Sequence, residues 1–251
     1  MNRTTPALLL TAVGLVAAAL PTLTGGQASG VGRVHVPSAQ SASSVPSPAA
    51  FGGHATNRYF PLDPGTVAVL RGRDGRARFR ERVVVTHRTK RIQGVRTRVV
   101  SDVLHRLDGS LAEKTRDWYA TDDAGRVWYF GEATATYDRR GKLIDRQGSW
   151  RAGVDGAVAG TIMPAHPRPT KAFRQEFRKG AAEDQAWIVQ RDARVTTPAG
   201  RYHRAVRTFE WSRLESDVVS TKFYARGVGL VLERDVAGGH EVFKLVAFHR
   251  P

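Results

Sequence analysis

The 251-residue chain has no cysteine, only seven lysines among its 39 basic residues, and no apolar stretch as long as a bilayer is thick. Without cysteine there are no disulfides and no lipid-bearing cysteine of the kind that tethers a bacterial lipoprotein. The most apolar segment, Ala7–Leu20, runs 14 residues, short of the roughly 20 that a membrane-spanning helix needs. Several enzyme signatures are missing as well. There is no thiol and no G-x-S-x-G elbow, which removes the usual activated nucleophiles. No G-x-G-x-x-G opens a βαβ unit, so a dinucleotide site has no support. The eight histidines, scattered from His35 to His249, never fall at H-E-x-x-H spacing, and neither a metal nor a cofactor is expected.

What is present begins with a leader. Arg3, the apolar run and the small residues Gly26-Gln-Ala28 read as an export signal over residues 1–28. That places the protein outside the cytoplasm, secreted or in the cell envelope. Residues 29–57 are rich in Ser, Ala, Pro and Gly, too poor in large side chains to offset their ordering entropy, and read as a disordered spacer. The rest, 58–251, reads as one β domain. A Gly/Pro-rich crossing near 152–170 is a place where it could divide into two sub-sheets.

The formal charge is +16 and the pI about 11.0, which makes anionic partners physically sensible. Between Arg71 and Arg98 eleven basic residues face only Asp74 and Glu81. Arg76, Arg78, Arg80 and Arg82 recur at period two, so a strand there carries four guanidinium groups on one side with Ala77, Phe79 and Val83 on the other. A solvated outer face is the plain reading of this pattern. For an exported protein, an acidic cell-wall polymer or a lipid headgroup is a better partner than nucleic acid.

The segment Thr115–Trp150, TRDWYATDDAGRVWYFGEATATYDRRGKLIDRQGSW, alternates aromatic-rich strands with Asp/Gly turns. Strands are predicted at about 66–71, 77–90, 95–107, 111–121, 126–137 and 142–151, then at 186–197, 201–212, 217–225, 228–236 and 240–248, with 183–188 as the one short helix. The expected fold is a mainly β antiparallel meander forming a strongly curved sheet or incomplete barrel. A four-residue DDAG loop pairs Tyr119 with Trp128 and Trp118 with Tyr129, and sets Asp117 opposite Phe130.

The candidate binding residues are Asp117, Trp118, Trp128, Tyr129, Glu132 and Trp150. The aromatics, with Phe130, either fill a core or line a cavity for a small apolar ligand or a sugar. Asp117 and Glu132 fall near enough to share a pocket, the arrangement acid/base hydrolysis needs, as do Glu183 and Asp184. The plain alternative pairs Asp117 with Arg116 or Arg151 at a sheet edge. Asp122 and Asp123 suit a turn better than a calcium loop. The segments DWYATDDAGRVWYFGE, GSWRAGVDGAVAGTIMPAHP and KGAAED resemble those of a family of exported bacterial proteins of unknown function, over about 59–231. That resemblance implies export and no particular activity. Val195-Thr-Thr-Pro-Ala-Gly200 and Phe223-Tyr-Ala-Arg-Gly-Val-Gly-Leu-Val231 also resemble a hairpin of curved-sheet envelope proteins such as lipoprotein carriers, although Arg226 stands where that pattern has proline. A noncatalytic binding protein for an apolar or amphipathic ligand or an anionic polymer is the first functional reading. A carboxylate hydrolase and a structural or partner-binding module are the alternatives.

Overall fold

The computed structural model of the chain describes residues 45–169 and 172–251. The leader expected at 1–28, and the expected spacer as far as residue 44, lie outside the described residues. The first half of the domain builds β1 (Val67–Asp74), β2 (Ala77–Ile92), β3 (Val95–Arg106), β4 (Leu111–Thr121) and β5 (Val127–Tyr137). Short strands follow: β6 (Leu143–Asp145), β7 (Trp150–Arg151), β8 (Val158–Met163), β9 (Phe173–Arg174) and β10 (Glu176–Phe177). The second half is β11 (Asp184–Thr197), β12 (Gly200–Ser212), β13 (Val219–Ala225), β14 (Gly229–Ala237) and β15 (Glu241–His249).

All pairings are antiparallel, and hydrogen bonds join the strands in the order β10-β8-β5-β4-β3-β2-β1-β15-β14-β13-β12-β11-β9, with β6 and β7 both on β5. The mainly β, antiparallel, strongly curved sheet expected from the sequence is the observed fold. The two halves join where β1 pairs with β15. At the other side the path ends in β9 and β10, which are separated only by Gln175; β9 pairs with β11 and β10 with β8. The chain therefore crosses its own seam there and nearly closes the barrel, although β9 covers only Gln185 and Ala186 of β11. Gly160 permits this closure, because a Cβ at that position would sit 2.7 Å from the Arg174 carbonyl.

Period-two alternation decides what points inward. On β4, Glu113, Thr115, Asp117 and Tyr119 are buried while Lys114 and Arg116 are exposed. On β2, Phe79, Glu81 and Val85 are buried and Arg78, Arg80 and Arg82 exposed. One apolar cluster gathers Trp118, Tyr119, Val127, Trp128, Tyr129, Phe130 and Trp150. A second gathers Leu70, Phe79, Leu104, Val231, Phe243 and Leu245.

Four local expectations differ from what is observed. The segment 183–188 is not helical: Asp184–Ile188 pairs residue by residue with Ser212–Thr208, a case of sheet pairing overriding a short local preference. The 142–151 strand is broken into β6 and β7. The β4–β5 register is shifted, with Tyr119 opposite Tyr129, Ala120 opposite Trp128 and Asp117 opposite Glu132. The cause is an irregularity between Asp117 and Tyr119 in that ladder, where Gly131 adopts φ +129 and a Cβ would lie 2.8 Å from the Arg151 Cα. Only glycine accepts that backbone and that proximity. Residues 45–57, within the stretch read as spacer, lie against the body: Phe51 packs edge-on to Phe130 at 5.7 Å, and the Asn57 amide donates to the Gly125 and Pro164 carbonyls at 2.9 and 3.0 Å.

Candidate functional site

The six candidate residues do converge, and they converge as interior. Trp128, Tyr129, Trp118 and Trp150 are all buried, and Tyr129 stacks on Tyr119 with centroids 4.6 Å apart while Trp150 meets it edge-on at 5.3 Å. The Trp128 indole N–H donates to Asp122 Oδ2 at 2.8 Å, and Asp122 Oδ1 accepts the Ala124 and Arg126 amides, so this aspartate closes the DDAG turn. Lys90 Nζ stands 3.5 Å over the Trp118 ring, covering it from outside. Trp118, Trp128 and Trp150 line neither the apolar cavity beside Phe60 nor the acidic pocket beside Lys222. Their arrangement is that of an aromatic core.

Asp117 and Glu132 sit directly across the ladder, 1% and 3% exposed. The Tyr129 hydroxyl lies 2.8 Å from Asp117 Oδ1 and 3.1 Å from Glu132 Oε2. A phenol has one proton to give, so it donates to one carboxylate and accepts from the other, which must itself be protonated. Burial raises both carboxyls well above their ordinary range, and the nearby Asp102 charge adds to Asp117 as Asp117 adds to Glu132. Neither Arg116 nor Arg151 pairs with Asp117 among the described residues; both guanidinium groups lie on exposed residues. The pair lacks the open cleft that glycoside-type hydrolysis requires. Glu183 and Asp184 diverge: Glu183 accepts the Gly180 amide at 2.9 Å and faces Arg213 at 3.7 Å, while Asp184 is buried. No group of histidines and carboxylates placed to hold a metal ion occurs among the described residues.

A pattern that the sequence reading did not reach unites these side chains. Among the described residues eleven carboxylates are buried, from Glu81 to Glu241, and one cation, Lys222. No arginine or histidine is buried among the described residues. The barrel is therefore acidic inside and basic outside. Its signal is an acid in phase with the apolar residues of a strand, as Glu81 is with Phe79 and Val83. Glu113, raised to about 8 chiefly by burial and then by Asp102, shows the electrostatic cost.

The outside of the same strands carries the arginines. Arg78, Arg80 and Arg82 project from β2, and Arg76 is exposed in the turn before it. Register brings in partners that the linear pattern does not show. Arg71 of β1 stands opposite Arg80, Arg73 opposite Arg78, and Arg71 is flanked on its other side by Lys244 of β15. With His105 opposite Arg80, one row runs across four strands as His105, Arg80, Arg71, Lys244. Among the described residues none of Arg71, Arg73, Arg78, Arg80 or Lys244 has an ion-pair partner.

The two mouths differ. One holds an apolar cavity of about 70 Å³, walled by residues such as Phe60, Leu62, Leu230 and Phe248, with Asp117 and Thr66 as its polar members. The other holds a pocket of about 180 Å³ among carboxylates from β1 and β11–β15. No helix among the described residues is long and apolar enough to cross a membrane.

No family model matches the chain, and no curated protein matches it in sequence. Among solved structures, a candidate lipoprotein from Parabacteroides distasonis is similar at 12% identity and a TM-score of 0.43, covering 78% of this chain and 100% of that one. A candidate exported protein with a YmcC-like fold from Bacteroides fragilis is similar at 12% identity and a TM-score of 0.42, covering 77% of this chain and 100% of that one. Neither similarity assigns a ligand or an activity.

Proposed function

We propose that this is a noncatalytic protein of the cell exterior that holds an acidic polymer against the outer face of β1, β2, β3 and β15. The observation that carries the reading is the row of cross-strand cations, Arg80 beside Arg71 beside Lys244, with Arg78 beside Arg73. Like charges directly opposite one another destabilise a sheet, by roughly 0.2–1 kcal/mol a pair. Here no acid on the same face relieves them. A multivalent anion laid across the rows would, with neighbouring strands about 4.8 Å apart setting the spacing of the cationic sites. The convex, curved surface favours a thread of polymer over a flat bilayer. The leader and the family resemblance support an exported protein, where wall polymers and not nucleic acids are at hand.

The small interior volumes support the same choice, since about 70 Å³ of apolar space is far below the several hundred cubic ångströms of pockets that enclose lipid-sized ligands. The buried state of Asp117 and Glu132 likewise favours a binding role over hydrolysis.

Affinity for long-chain polyphosphate and for teichoic acid, followed against salt concentration, tests this. Binding should weaken linearly in log–log form, because the fixed number of counterions freed on binding enters an increasingly concentrated solution. Replacing Arg71, Arg73, Arg78 and Arg80 by glutamine should shrink the slope by about 3, near 0.7–0.9 per lost phosphate contact. The same variant should fold at least as stably as the parent, because the repulsive pairs are gone. Unchanged affinity and slope in that variant would remove the proposal.

A further inference from the structure

The pocket at the acidic mouth carries a second inference, independent of the polymer face. It lies where β11–β15 and the end of β1 approach, and its deeper wall is the Lys222 ammonium, 3.2 Å from Glu210 Oε2 and 3.1 Å from Glu233 Oε1. Lys222 is thus already engaged by two carboxylates. Asp184, Glu215 and Asp235 line the same space, and the lysine cannot balance these as well. Asp184 is 9% exposed, and its Oδ1 has no hydrogen-bond partner even though the Ser212 hydroxyl supports the group. A buried carboxylate oxygen lining a cavity without a donor is costly unless something supplies one.

We propose that this mouth is a binding site for a small organic cation, an alkylammonium or guanidinium group, whose N–H donors satisfy Asp184 and whose charge offsets Glu215 and Asp235. A bare metal ion fits less well, because no group of three ligating side chains is close enough to coordinate one. A polyatomic cation spreads its charge and its donors over several ångströms and so reaches carboxylates that a metal cannot gather. The volume, about 180 Å³, has room for about six waters at roughly 30 Å³ each, the size of a short amine. Trp211 also lines the pocket and offers an aromatic surface to an organic cation. Burial raises Asp184 and Glu233 to about 7 each, even though the Lys222 ammonium pulls both down. The exterior sharpens the inference. A chain of formal charge +16 repels small cations at long range, so saturable amine binding reports a local acidic site and not the overall field.

Isothermal titration calorimetry of the full chain with putrescine, at mildly alkaline pH, tests this. The expected result is saturable binding that Asp184→Asn weakens about tenfold, a difference of about 1.4 kcal/mol. Glu215→Gln, at a half-exposed position, should weaken it in the same direction and protects the test against a folding defect in the first variant. Arg71→Gln should leave amine binding intact, which separates this site from the polymer face. Absence of saturable binding, an affinity indifferent to both acidic substitutions, or calcium chloride competing with putrescine in the parent protein but not in Asp184→Asn would each overturn the proposal.

Discussion

Stability should fall as pH rises from mildly acidic to mildly alkaline values, and Glu113 is the residue through which the reasoning can be tested most sharply. It lies buried on β4 with the Thr115 hydroxyl donating to its Oε1 at 3.2 Å and no cation beside it. Burial, with the Asp102 charge, raises its carboxyl from 4.5 to about 8. The folded protein therefore keeps a proton that the unfolded chain releases above about 4.5, so the associated stability is present at low pH and is lost as pH approaches 8. At about 1.36 kcal/mol per unit over the interval in which only the unfolded chain is ionised, the loss between pH 5.5 and pH 8 is about 3 kcal/mol. Asp184 and Glu233, each raised to about 7, act with the same sign. For a domain of this size such a loss corresponds to a melting temperature lower by about 6–12 °C. Urea unfolding across that range, in enough salt to shorten the Debye length to about 8 Å, keeps surface repulsion among the arginines from masking the effect. In Glu113→Gln, which retains an acceptor for Thr115 but cannot ionise, the decline should be shallower by about 3 kcal/mol. Stability that rises over the same interval, or a glutamine variant with the parental slope, would refute the assignment of Glu113 as a buried, protonated group.

Two further perturbations follow from the same geometry. Lys222→Met leaves Glu210 and Glu233 buried without their cation and should cost about 3–5 kcal/mol in denaturant unfolding at neutral pH, with a smaller penalty in acid, where Glu233, raised to about 7, is neutral. Gly131→Ala imposes a Cβ at φ +129 against the β7 backbone and should destabilise by about 2 kcal/mol or more, with a changed near-ultraviolet circular dichroism signal from Trp150; a silent substitution would mean the bulge is not required.

Much of the architecture was legible because its cues are local. Asp/Gly turns and period-two runs mark the long strands from β2 to β5 and from β11 to β15 within a few residues. The register of β4 against β5 was not legible in the same way. It depends on a bulge that becomes necessary only when β7 lies against Gly131, a neighbour twenty residues away in the chain. The helix expected at 183–188 failed for a similar reason: its backbone groups are satisfied by β12, a partner that no local propensity announces. Asp117 and Glu132 were placed close together correctly in kind, but being opposite one another, bridged by Tyr129 and shut from water, followed from the bulge and the closed sheet.

By itself, the sequence determined a cysteine-free, arginine-rich, antiparallel β protein, because composition and alternation act residue by residue. Only the tertiary structure decided which charged side chains meet across strands, and showed that the carboxylates collect in an acidic interior beneath a basic exterior. That sorting is collective. Arg71 and Arg80 become neighbours, and Lys222 meets Glu210 and Glu233, only when strands far apart in the chain are brought into register by the closure of the sheet.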